Sequence, residues 1–80
     1  MGRFSGESGF ETYLAARRFC ALYLFSNDLE WNSENVENFM KKAETDDAFF
    51  EKWRSEAIKF REENCQLVKA ENNKIIKIPR

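Results

Sequence analysis

The stretch DDAFFEKWRSEAIKFREENCQLVKA, residues 46–70, decides how this chain reads. Its apolar side chains recur at spacings of three and four: Phe50, Trp53, Ala57, Phe60 and Leu67, with Asn64 the single polar gap. Residues so spaced share one side of an α-helix, and such a stripe must be covered by the rest of the chain or by another molecule. The spacing predicts a long helix over 46–70.

Two further helices precede it. Ser8 and Glu11 form an S-x-x-E capping box, which predicts a first helix from about Gly9 to Ser26. Its second half, Phe19–Phe25, is apolar all round, as expected of a helix buried on most sides. The polar cluster Ser26-Asn27-Asp28 ends it, with Asn27 suited to the left-handed conformation of a helix end. Asn32 is a good N-cap for a second helix over 32–44, with Trp31 and Val36 at hydrophobic-staple spacing. Val36, Phe39, Met40 and Ala43 supply its apolar face. Thr45 or Asp46 then caps the third helix, because a stripe continued in phase from Ala43 would place the charge of Asp47 in the core. The three Gly all lie in the first nine residues and the one Pro is Pro79, so nothing forbids helix between Phe10 and Asn73.

The expected fold is therefore all-α: a single small three-helix domain over residues 1–80, with a flexible start at 1–8 and a short extended tail at 71–80. Eighty residues make one domain. Eight Phe, two Trp and two Tyr provide a core dense enough for so short a chain. Phe19, Leu22, Phe39, Trp53 and Phe60 are its expected centre.

Composition narrows the function. Net charge is −1, but residues 28–47 carry seven acids against two Lys, while residues 48–80 carry eight basic residues against five acids. That is not the overall basic balance of a dedicated nucleic-acid binder. The longest apolar run has seven residues, against about 20 needed to cross a bilayer. No targeting signal is apparent, and Gly6 stands where the myristoylation pattern wants Ser or Thr. Cys20 and Cys65 are isolated and sit in apolar patterns, where free Cys acts as a small hydrophobe, so a cytoplasmic chain with reduced thiols is expected.

There is no His, no CxxC and no Gly-rich phosphate loop. Zinc or iron sites draw on Cys and His clusters, and a Ser or Cys nucleophile needs a neighbouring base. The paired acids Asp46-Asp47 and Glu62-Glu63 fall on helix ends or charged faces, where solvated charge is the ordinary reading. No catalytic residue, cofactor or metal ligand is assigned, and the chain reads as a non-enzyme.

What remains is contact. With Phe50 at heptad position a, Trp53, Ala57, Phe60, Asn64 and Leu67 occupy successive d and a positions, and Glu56 and Arg61 take a g-to-e offset. That pattern fits a parallel pair of helices. The tail adds Ile76 and Ile78 among Lys74, Lys77 and Arg80, suited to a partner's sheet edge or to folding back over the bundle. The expected function is a non-catalytic protein-binding module, an adaptor or an inhibitor that occludes a partner's surface. Its contact residues are Phe50, Trp53, Phe60, Asn64, Leu67, Ile76 and Ile78, and its partner is another protein, a second copy in a homodimer included. The alternative is a small nucleic-acid-binding helical protein using Arg17-Arg18 and the basic tail, against which Glu51, Glu56, Glu62 and Glu63 interrupt the basic residues of the third helix.

Overall fold

The computed structural model describes residues 4–80. Three helices run α1 (Gly9–Ser26), α2 (Ser33–Thr45) and α3 (Asp47–Glu62), followed by strands β1 (Cys65–Lys69) and β2 (Ile75–Pro79). The molecule is mostly helical but not all-α, because the strands pair as an antiparallel hairpin. The expected helix over 46–70 thus stops at Glu62, and the extended tail is the second strand of a hairpin rather than a lone segment. The expected flexible start falls partly outside the described residues. Within them, Phe4 meets Tyr13 edge-on at 5.6 Å, and a Cβ on buried Gly9 would collide with the Phe4 backbone.

The helix ends follow from a few side chains. Ser8 does not form the expected capping box: its backbone is helical (φ −82°, ψ −8°) and its side chain makes no cap hydrogen bond. The Thr12 hydroxyl donates to the Ser8 carbonyl instead (3.1 Å). At the other end of α1 the left-handed residue is Asp28 (φ 54°), one place after Asn27. The Leu29 N–H donates to the Leu24 carbonyl (2.9 Å) and the Asp28 N–H to that of Phe25 (3.3 Å), which is a Schellman closure. Asn32 caps α2 as expected, accepting from the Asn35 N–H (2.8 Å). Asp46 separates α2 from α3 in an extended conformation and accepts from the Phe49 N–H (3.0 Å).

α3 ends because Asn64 takes φ 57°, turning the chain away from the helix axis. Asn64 N–H donates to the Arg61 carbonyl (3.3 Å). The strand that follows pairs Cys65 with Pro79, Leu67 with Lys77 and Lys69 with Ile75 on one face, and Gln66 with Ile78 and Val68 with Ile76 on the other. Glu71-Asn72-Asn73 forms the loop: Asn73 (φ 60°) donates to the Ala70 carbonyl (3.1 Å) and Ala70 to that of Lys74 (2.7 Å). This is a three-residue hairpin whose left-handed position is filled by Asn. Leu67 and Ile75 turn toward the helices and pack on the core. The hairpin is also tied to the α1–α2 loop, by the Trp31 N–H to the Asn73 carbonyl and by Lys74 to Asp28 (3.3 Å).

The core is Ala16, Cys20, Leu22 and Leu24 of α1, Phe39, Met40 and Ala43 of α2, and Phe50 and Trp53 of α3. Tyr23 knits the helices together, with ring centroids 5.1 Å from Phe39, 5.8 Å from Phe49 and 5.2 Å from Trp53. Of the five residues expected at the centre, Leu22, Phe39 and Trp53 are buried, and Phe19 and Phe60 are half-buried against them.

Candidate functional site

The residues assigned to contact from the sequence fall in three places. Phe50 and Trp53 are 8% and 7% exposed and belong to the core. The Trp53 indole N–H is buried without an acceptor among the described residues, and the nearby Tyr23 ring stands almost perpendicular to it. Asn64 is exposed, but its position is a helix stop, not a coiled-coil seam. Ile76 and Ile78 lie on the outer face of the hairpin, with Ile76 42% exposed. Phe60 and Leu67 come together in a cleft.

That cleft is built where α1, α3 and β1 meet. It encloses about 280 Å³, and its floor is Phe19 and Leu22 of α1, Ala57 and Phe60 of α3, and Leu67 of β1. Its rim is cationic: Arg18, Arg61 and Arg80, with Gln66 beside them. A second hollow of about 200 Å³ shares Arg18, Phe19, Ala57 and Arg61 with the first and adds Ala15, Arg54 and Ile58. The two form one groove along the α1–α3 junction. Arg54 is held by Glu51 at 3.3 Å. Arg18, Arg61 and Arg80 have no carboxylate partner among the described residues.

The elements that carry these arginines explain their placement. Arg18 and Arg61 each adjoin a floor residue in sequence, Phe19 and Phe60. Each guanidinium is therefore set at the edge of a stripe whose ring turns inward. Lys77 reaches one of the floor rings from outside the groove lining: its ammonium lies 5.7 Å from the centre of the Phe60 ring and 3.0 Å from a Glu63 oxygen. The hydrogen bond to Glu63 holds Lys77 above its usual basicity.

An apolar floor with unpaired guanidinium groups at its rim is suited to one kind of chemistry. It can take an apolar side chain flanked by carboxylates, since a guanidinium binds a carboxylate through two parallel hydrogen bonds. The sequence pointed to Phe60 and Leu67, but as members of one helical stripe. It did not point to the groove, because Arg18 and Arg61 are 43 positions apart and only the packing of α1 on α3 unites them. The acidic stretch 28–47 lies elsewhere, on α2 and its flanking loops, partly neutralised by the Glu37–Lys41 and Asp28–Lys74 pairs. Among the described residues, no three His, Cys, Asp or Glu side chains are placed to hold a metal ion, and no helix is long and apolar enough to cross a membrane. No protein-family model matches the chain, and no curated protein or solved structure matches it at a significant level.

Proposed function

We propose that this chain is a non-catalytic protein-binding module, an adaptor or an inhibitor, that grips an acidic segment of a partner protein in the α1–α3 groove. The observation that carries this reading is the set of three unpaired arginines around an apolar floor. Unpaired guanidinium groups beside buried rings are where interfaces concentrate their binding energy, given a carboxylate to meet them. Phe60 and Leu67 keep a contact role as floor residues, while Phe50 backs the floor through Phe19 and Trp53 belongs to the core. We place the chain in the cytoplasm, a setting that suits the free thiols of Cys20 and Cys65.

The nucleic-acid alternative draws on the same arginines, since a cationic groove also tracks a phosphate backbone. It is the weaker reading, because base stacking needs an open ring face. Both rings of the groove already have partners: Lys77 lies 5.7 Å from the centre of the Phe60 ring, and Phe19 packs on Phe50 with ring centres 5.5 Å apart.

One comparison tests both readings. Protein partners are captured from native cells with the wild-type chain and with the double variant Arg18→Glu, Arg61→Glu, and both chains are passed over heparin and plasmid DNA at low salt. Loss of a specific protein from the double variant, with neither chain held by DNA, supports the adaptor. A partner retained by the double variant overturns the groove assignment. Retention of the wild type alone on DNA overturns the protein-binding reading itself.

A further inference from the structure

α1 leaves one face uncovered. Phe10 and Leu14 are 66% and 44% exposed, four residues apart on that face, and neither packs on the core. Arg18 follows at the same spacing, and Glu11 stands beside them. Glu11 and Arg18 are exposed and have no ion-pair partner among the described residues. Some charged residues on α2 and α3 are paired at short range, as in Glu37–Lys41, Glu51–Arg54 and Glu56–Lys59. On α1 the acid and the base lie seven positions apart on either side of Leu14, near one another along the helix but unpaired.

That order is self-complementary. Phe10 and Arg18 lie four residues, about one turn, before and after Leu14. Two copies of α1 laid antiparallel about a two-fold axis at Leu14 would bring Leu14 against its own equivalent and set Phe10 over the stem of the partner's Arg18. Glu11 would then come within reach of the same guanidinium. A two-fold interface needs only one patch that fits itself, and every contact is made twice. We propose that the uncovered face of α1 is the site of a homodimer built in this antiparallel register. Exposed ion pairs contribute little, so Leu14 and Phe10 carry the association while Glu11 and Arg18 fix its direction. This replaces the third helix as the self-association surface, because Phe50 and Trp53 are already spent in the core.

Sedimentation equilibrium of the full chain tests the site by charge exchange. The wild type should show a concentration-dependent dimer in the micromolar range. Leu14→Lys, which sets two ammonium groups against each other at the axis, should weaken it about tenfold or more. Glu11→Arg and Arg18→Glu should each weaken it, and the double exchange Glu11→Arg, Arg18→Glu should recover the wild-type constant. All three substituted positions are exposed on α1, and far-UV circular dichroism confirms folding. Arg18 also rims the groove whereas Leu14 does not, so Leu14→Lys separates dimerisation from partner binding. A monomer at every concentration, a dimer indifferent to Leu14→Lys, or a double exchange no stronger than either single one would each overturn the proposal.

Discussion

Cys20 shows how a single position is set by its surroundings. It is fully buried in the core beside Ala16 and Leu24, where no water stabilises a thiolate. Burial pushes its pKa up to about 12, against the partial opposition of the Arg17 guanidinium. Arg17 itself is held between aromatic rings, 6.0 Å from the centre of Tyr13 and 5.8 Å from that of Trp31. The sign of the linkage follows. A thiol whose folded pKa is raised contributes its full stability while the unfolded thiol is still protonated. That contribution is lost as pH climbs past the ordinary thiol value, about 8.5, toward about 12, because the unfolded chain ionises first. In urea titrations at increasing alkaline pH, the wild type should therefore lose stability faster than Cys20→Ala, although other groups titrate in both. Native thiol labelling gives the companion measurement: half-buried Cys65 should react well before Cys20. Equal labelling rates, or identical alkaline slopes, would show that Cys20 opens to solvent.

Among the elements, the helices were legible and the hairpin was not. Asn32 and Asp46 carry their cap function in the local sequence, and the structure gives each the amide hydrogen bond its position implies. Ser8 failed because its own backbone stays helical, so its side chain is not placed to accept from the first-turn amides. The segment 65–69 misled for a different reason. Leu67 falls in phase with Phe50, Trp53 and Phe60 on a helix, and it also falls on the inward side of a strand. Spacing alone cannot separate the two periods over so few residues. What decides is the β-branched run Ile75-Ile76 and Ile78, which offers a pairing strand, together with Asn64 and Asn73 at the two left-handed turns. Asn64 can therefore be tested directly. A Cβ-bearing residue without a local hydrogen-bonding side chain costs about 1–2 kcal/mol at positive φ, and Gly costs least. Asn64→Ala should lower the urea midpoint by that order, and Asn64→Gly should leave it nearly unchanged or raised. If Ala were as stable as Gly, the positive φ would not be the element that stops α3.

At the scale of the whole molecule, the groove owes its existence to two attachments of unequal strength. α1 and α3 are joined through the aromatic cluster of Tyr23, Trp53 and Phe50 with Phe19, all of it close-packed. The hairpin is joined by Leu67 and Ile75, by the Trp31–Asn73 backbone bond, and by the exposed pairs Lys74–Asp28 and Lys77–Glu63. Exposed pairs of this kind contribute about 0–1 kcal/mol each, and a two-stranded hairpin is marginal without a surface to lie on. No contact of the hairpin compares with the tightly packed rings between the helices. The hairpin should therefore open as a unit at lower free energy than the helices, and the Leu67 part of the groove floor with it. This is also why the groove could not be read from the sequence, since its walls come from three elements joined only by tertiary packing. Native-state hydrogen exchange measures the difference. Amides of Val68 and Ile76, a hydrogen-bonded pair of the ladder, should exchange well before those of Cys20 and Leu24, and Ile75→Asp should accelerate the first pair while changing the second far less. Binding of an acidic segment in the groove would bridge Arg18 of α1 and Arg61 of α3 across to Leu67, and should slow the hairpin amides in particular. Equal protection of hairpin and helices in the free chain would instead mean that the molecule opens as one cooperative unit, with the groove as rigid as the core beneath it.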